Sequence, residues 1–261
     1  MSEISSVSFI GGGRITWLLL ESLNRKGALP AKVTVSDPDP EALRRVESIA
    51  GSMVCTGDNE IAARSDVVFL AVHPPVLNQV ASQIANHLTD NAVVVSLAPK
   101  VRMKSLADWL GGFKGLARMI PNAASVVHQG YNPVAFSASL SHEKKKSLAS
   151  LFEIWGRTPE VDEDKLEAYA IVTAMGPTYF WFQWMELKRL GKVFGLSDEE
   201  LQGALPAMLH GAADTLFDSR LSEEEALNLV PIHPLKESEA MIQGAFESAL
   251  EPLHRKLTGS S

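Results

Sequence analysis

Along the first 160 residues, apolar positions fall into short unbroken runs separated by stretches of helical spacing. Residues 7–10 read as a short apolar strand, and 67–72 (VVFLAV) and 93–97 (VVVSL) are continuous runs, the pattern of strands buried on both faces. Residues 32–36 add a strand, stopped by Asp37-Pro38-Asp39-Pro40. Ile15, Leu18, Leu19 and Leu23 recur at helical spacing, and residues 41–50 and 76–88 are read as helices in the same way. Residues 116–120, 133–137 and 158–161 are further candidate strands. Such alternation predicts an α/β domain, a doubly wound, mostly parallel sheet with helices on both faces.

After residue 162 the strand-like runs vanish. Helical pattern takes over at 165–174, 179–190, 199–217, 223–229 and 237–257. Ser197-x-x-Glu200 and Ser222-x-x-Glu225 fit capping boxes that would start two of these helices. The expected division therefore falls near residues 161–165, giving an α/β domain (1–162) and an all-helical one (163–261). No low-complexity linker or internal repeat is evident.

Composition narrows the function. With 261 residues, 46% of them hydrophobic, the chain is long enough for two cores. A formal net charge of -7 argues against nucleic acid as the main partner. The one cysteine, Cys55, allows no intrachain disulfide and fits a reducing compartment. No run reaches the roughly eighteen apolar residues of a membrane span, and residues 1–10 lack the basic start of a signal peptide. A cytoplasmic protein with no membrane partner is expected. The histidines are scattered without metal-ligand spacing, and no G-x-S-x-G elbow appears, so neither a metal site nor a serine hydrolase is expected. The lysines at 144–146 suit a solvated helix face, and the glutamates at 223–225 suit a helix start.

Gly11-Gly12-Gly13-Arg14-Ile15-Thr16 fills G-x-G-x-x-G/A except at Thr16. Gly11 permits the tight turn out of a strand, and Gly13 lets the backbone approach a pyrophosphate. The helix opening at Arg14 and Ile15 aims its positive end at that charge. A strand before and a helix after supply the context of a dinucleotide-binding Rossmann domain. Asp37, at the end of the next strand, can accept hydrogen bonds from the adenosine ribose and repel a 2′-phosphate, which favours NAD over NADP. The same aspartate would also suit a turn that starts the next helix.

Four motifs, in order and well spaced, resemble the pyrroline-5-carboxylate reductase family. That family sits in the wider 6-phosphogluconate-dehydrogenase-like group with the coenzyme-F420-dependent NADP reductases. The motifs are the strand and turn at 7–13; residues 66–74 (DVVFLAVHP, similar to D-V-x-x-L-A-V-K-P); residues 118–122 (RMIPN, similar to R-x-M-P-N); and Gly176-Pro177-x-Tyr179, similar to the end of S-G-S-G-P-A-Y. The resemblance spans nearly the whole chain. It implies an NAD(P)H-dependent reductase whose C-terminal helical domain interleaves with a second copy to build a homodimer. It places Val72, His73 and Pro74 on the nicotinamide side of a cleft, with Pro121 and Asn122 beside them. A cofactor-contacting asparagine of the family corresponds to Asp58, or to Asn59 after a one-residue slip.

The departures concern the substrate. The family's lysine in A-V-K-P is His73 here, an imidazole that could contact phosphate or ribose or could simply fill space. S-G-S-G-P-A has become Thr173-Ala174-Met175-Gly176-Pro177-Thr178, so Met175, Gly176 and Thr178 are the substrate-side candidates. The glycine-glycine-threonine segment that binds the cyclic imine corresponds to Pro231-Ile232-His233-Pro234-Leu235, and Leu235 cannot donate a hydrogen bond. An imine or carbonyl other than pyrroline-5-carboxylate is therefore the expected substrate. The alternative is a catalytically idle homologue that binds a dinucleotide as a sensor or structural ligand. Ordinary proline biosynthesis would need a different alignment through this segment, and F420-dependent reduction is a weaker fit.

A carbonyl acceptor needs a proton donor as the alkoxide forms. His233 is the candidate catalytic donor because imidazole exchanges protons near neutral pH, with Lys236 and Glu237 close by. A histidine between prolines is also an ordinary turn residue. The aromatic run at 179–184 (YFWFQW) suits a helix core or a dimer interface, and could also wall an apolar pocket.

Overall fold

The structure, a computed structural model, describes residues 4–259 and divides into two compact units. The first holds the chain up to Gly176 together with the segment from His254; the second is Pro177–Leu253. In the first, the order is β1 (Ser6–Ile10), α1 (Arg14–Arg25), β2 (Lys32–Ser36), α2 (Pro40–Glu47), β3 (Val54–Thr56) and α3 (Asn59–Ala62). There follow β4 (Val67–Leu70), α4 (Pro74–Ile84), β5 (Val93–Ser96), α5 (Met103–Trp109) and β6 (Leu116–Met119). The unit continues with β7 (Gly130–Tyr131), β8 (Val134–Phe136), α6 (His142–Phe152), β9 (Gly156–Arg157) and α7 (Leu166–Tyr169).

Seven strands form one sheet in the order β3-β2-β1-β4-β5-β6-β8, all parallel except β8, which runs antiparallel to β6. The order reverses between β1 and β4, which creates a crevice at the carboxyl ends of those strands. Alternate residues feed two cores. Phe9, Val35 and Phe69 join Leu19, Leu20 and Leu23 of α1 and Phe152 of α6 on one face. Ile10, Val68 and Leu70 meet Leu77 and Ala81 of α4 on the other. Burial of both faces explains why these strands are unbroken apolar runs.

The expected strand at 158–161 is not in the sheet. It makes a single bridge, Val134 to Glu160, and the neighbouring pair β7–β9 is only two residues long on each side. The helix expected over 165–174 is broken into three pieces. A 3-10 turn (Glu163–Lys165) leads into α7, and a π turn (Ala170–Ala174) follows, closed by Met175 N donating to Ala170 O at 3.0 Å. Strand character stops near 162, yet residues 163–176 stay with the sheet. Arg118 pairs with Glu163 and Glu167, and the Asn122 amide donates to the Thr173 carbonyl.

The second unit contains α8 (Pro177–Val193), α9 (Asp198–Phe217), α10 (Glu223–Leu227) and most of α11 (Glu239–Thr258). Ser197 and Ser222 form the two capping boxes expected from the sequence. Gly191 lets α8 approach Leu201 of α9, where an added Cβ would come within 2.5 Å of Leu201 Cδ2. Phe246 packs edge-on against Tyr179, with ring centroids 5.7 Å apart. Only Gly191 and Leu201 are buried among the residues of this unit. Phe182, Met185, Phe194 and Phe217 are each at least 65% exposed. Among the described residues, no helix is long and apolar enough to cross a membrane.

Candidate functional site

The glycine turn joins β1 to α1 at the point where the strand order reverses. Gly11 has φ +106°, and a Cβ there would lie 2.7 Å from the Ala71 carbonyl oxygen. Gly13 is the N-cap of α1 and makes no side-chain cap, so the first-turn amides of Arg14, Ile15 and Thr16 have no intrahelical acceptor. A Cβ on Gly13 would meet no atom within 4 Å. Open space in front of uncapped amides is what a pyrophosphate requires. Arg14, exposed at the first helical position, adds a cation beside it. Thr16, the departure from the glycine pattern, is fully buried, and its Oγ1 donates to the Gly11 carbonyl, closing the turn from inside.

Asp37 follows β2 and faces the same turn. Its Oδ2 accepts from Gly12 N at 2.7 Å and its Oδ1 from Asp39 N at 2.8 Å. This carboxylate thus shapes the glycine turn while standing at the strand end where a ribose would come. Of the two candidates on the next turn, Asp58 is exposed and caps α3 through Glu60 N. Asn59 is half-buried and accepts from Ser36 Oγ at 2.8 Å while donating to Gln83. Asn59 is therefore the one held against the sheet.

A cleft of about 260 Å³ opens at the carboxyl ends of β4, β5 and β6. Ile15, Val72, His73 and Pro74 line it together with Pro121 and Met175. Leu97–Pro99 after β5, Ile120, Ala170 and Ala174 complete the walls, so His73 is the one ionisable side chain of the lining. His73 is exposed and is the N-cap of α4. Pro74 and Pro75 open that helix without N–H groups, and Val76 N is taken by the His73 carbonyl at 3.1 Å. This helix start, unlike that of α1, presents almost no backbone donor. A wider depression of about 700 Å³ lies at the amino ends of β1 and β2, beside α6. Doubly wound sheets bind ligands at the carboxyl ends, so we assign the site to the smaller, apolar cleft.

Asn122 is buried just behind the cleft. Its Oδ1 accepts from Ala124 N, its amide meets the Thr173 carbonyl, and its own N–H goes to Asn132 Oδ1. The side chain is engaged in bracing the wall. Gly176 is buried, and a Cβ there would lie 2.2 Å from the Val172 carbonyl oxygen, so the position favours glycine. Thr178, His233 and Lys236 belong to the second unit and are exposed there. Sequence reasoning missed the wall at 97–99, although the rule that strand ends carry the ligand pointed to it. It also missed the set formed by buried Arg118 and Glu167 with half-buried Glu163, the glutamates lying 45 and 49 residues from the arginine.

The sheet order, the uncapped glycine turn and the strand-end cleft define a dinucleotide-dependent oxidoreductase. Comparison with known proteins agrees. A family model described as NADP oxidoreductase, coenzyme F420-dependent, matches residues 6–100. Pyrroline-5-carboxylate reductases of Pseudomonas aeruginosa and Methanosarcina acetivorans are each 26% identical to this chain over 95% of it, covering 90% and 95% of their own lengths. The solved pyrroline-5-carboxylate reductase of Coxiella burnetii matches with TM-score 0.72 and 25% identity, covering 99% of this chain and 96% of that one. The Plasmodium falciparum enzyme with NADP bound matches in fold with TM-score 0.81 at 18% identity, covering 99% and 98%. The chain is similar to pyrroline-5-carboxylate reductases over nearly its whole length and is an NAD(P)-dependent reductase.

Proposed function

We propose that this protein reduces a C=N or C=O bond at the expense of NAD(P)H, on a substrate other than pyrroline-5-carboxylate. One observation carries the reading: an uncapped glycine turn at the switch point beside an apolar cleft at the ends of β4–β6. Gly11, Gly13, Arg14 and Ile15 would hold the pyrophosphate, Asp37 and Asn59 the adenosine side, and Val72, His73, Pro74 and Pro121 the nicotinamide. When bound, the cofactor supplies a hydride. The chain's own part is to hold that ring against apolar walls, exclude water, and present the substrate side through Met175 and Gly176. Met175, where the family has serine, supports a less polar substrate. His233 and Lys236 are the proposed sources of a proton or a substrate contact.

Asp37 supports a preference for NAD, since its carboxylate would repel a 2′-phosphate. The apolar exposure of α8, α9 and α11 supports a homodimer built through the helical unit. The single cysteine fits a cytoplasmic location. The test is a binding titration with NADH and NADPH, followed by turnover of pyrroline-5-carboxylate and of imine and ketone probes. Turnover of a probe with little on pyrroline-5-carboxylate supports the proposal. Tight cofactor binding with no turnover would favour the idle homologue, and efficient turnover of pyrroline-5-carboxylate would refute the altered substrate.

A further inference from the structure

We infer that Arg118 is a positioning residue for the nicotinamide cleft, joining two of the segments that form its walls. The inference rests on the dinucleotide reading above. Arg118 lies on β6 two residues before Ile120, and its side chain is 1% exposed. Its Nη1 donates to Glu163 Oε1 at 3.0 Å and its Nη2 to Glu167 Oε1 at 2.6 Å. Each carboxylate oxygen then accepts a second, backbone donor. Glu167 Oε1 takes Lys100 N at 3.1 Å, and Glu163 Oε1 takes Met103 N at 2.6 Å. Lys100 has φ +73°, a left-handed conformation unusual for a lysine, directly after the cleft residue Pro99.

Three segments therefore meet on one guanidinium: β6, the β5–α5 connection, and residues 163–167. The last of these leads straight into the π turn, whose Ala170 and Ala174 line the cleft. A planar fork reaches both carboxylates at once, which a lysine ammonium cannot do. Stabilisation alone does not require ions here, because well-packed apolar side chains serve a core as well or better. The consequence specific to this cluster is geometric. It holds the turn at 97–100 and the segment at 170–175 in fixed relation to Ile120. None of its hydrogen bonds involves the glycine turn or Asp37, so the adenosine half of the site is independent of it.

That separation gives a test. ADP-ribose carries everything in NADH except the nicotinamide, and 2′-phospho-ADP-ribose stands in the same relation to NADPH. Dissociation constants for each pair would be measured by calorimetry on wild type, Arg118→Lys, Arg118→Met and Glu167→Gln. Wild type should bind the complete dinucleotide tighter than its fragment. In Arg118→Lys the fragment should stay within about twofold while the complete cofactor weakens roughly tenfold, the loss of about one charge-assisted hydrogen bond in placement. Glu167→Gln removes the charge opposite one arm of the guanidinium and should weaken the complete cofactor in the same direction as Arg118→Lys, with the fragment within about twofold. Arg118→Met is expected to fold poorly, which is why the lysine variant carries the comparison. Equal weakening of fragment and cofactor, or no change in either, in a folded Arg118→Lys protein would overturn the inference. A wild type that binds neither ligand would overturn the dinucleotide reading and the inference with it.

Discussion

Gly11 and Gly13 stand two residues apart in one motif, yet alanine at each should fail in a different way. At Gly11 the backbone has φ +106°, beyond the small left-handed region open to L-residues, so alanine costs at least about 1–2 kcal/mol in conformation. Its Cβ would also lie 2.7 Å from Ala71 O and 2.8 Å from Ala71 C, both main-chain atoms. Ala71 is tied to β1 by its N–H donating to Ile10 O at 2.8 Å, so it cannot yield without moving the end of β4. Overpacking of this kind costs about 1–3 kcal/mol more. Gly11→Ala should therefore lose roughly 2–5 kcal/mol, a fall in melting temperature of about 4–20 °C. At Gly13 the backbone is ordinary, with φ −71°, and the new methyl meets no protein atom within 4 Å. Gly13→Ala should keep stability within about 1 kcal/mol while NADH and NADPH affinity falls at least about tenfold, because the methyl occupies the approach of the pyrophosphate. Thermal melts and calorimetric titrations on the same preparations separate the two effects. A Gly11→Ala protein that melts like wild type, or a Gly13→Ala protein that binds cofactor normally, would refute this account of the turn.

If Asp37 sets the proposed NAD preference, Asp37→Ser should shift preference toward NADPH by removing a carboxylate charge at the end of β2. Wild type binding NADPH more tightly than NADH would show that Asp37 acts only within the turn, on the Gly12 and Asp39 amides. Asp66 ties the start of β4 to that of β1. Partial burial pushes its carboxyl up, but donors from Ser5 and Ser6 outweigh it and hold it below its ordinary value. A lowered folded-state pKa stabilises at neutral pH and is lost as pH falls through it. Asp66→Asn should thus flatten the decline in stability below about pH 4, and an unchanged acid limb in urea melts would count against the pairing. Phe182→Glu on α8, a residue 67% exposed, should lower the mass seen by light scattering if the helical unit pairs with a second copy. A wild type that is already monomeric at micromolar concentration would remove the homodimer proposal.

The sheet was legible because strands buried on both faces leave no polar alternation to confuse the eye, as VVFLAV and VVVSL show. Short edge elements were not. Strand β3 offers only Val54-Cys55-Thr56, and of helix α6 the sequence marked only the solvated face at 144–146, not its length or apolar side. The π turn at 170–174 depends on i→i−5 bonding, for which sequence carries no period. At the site, glycine spacing marked the turn, and the family resemblance pointed to Val72–Pro74 and Pro121, which line the cleft. The Arg118 cluster could not be seen, since nothing local links an arginine on β6 to two glutamates more than forty positions away. Asn122 looked like a ligand from its motif, whereas its polar atoms are engaged with Ala124, Thr173 and Asn132.

The pair Pro74-Pro75 gives the site a direction. Two helices, α1 and α4, begin at neighbouring strand ends, and either could in principle attract an anion with its dipole. One has its amides bare, whereas the other opens with residues that have none. An elongated ligand with a charged middle would therefore set that charge at α1 and leave an uncharged part beside α4.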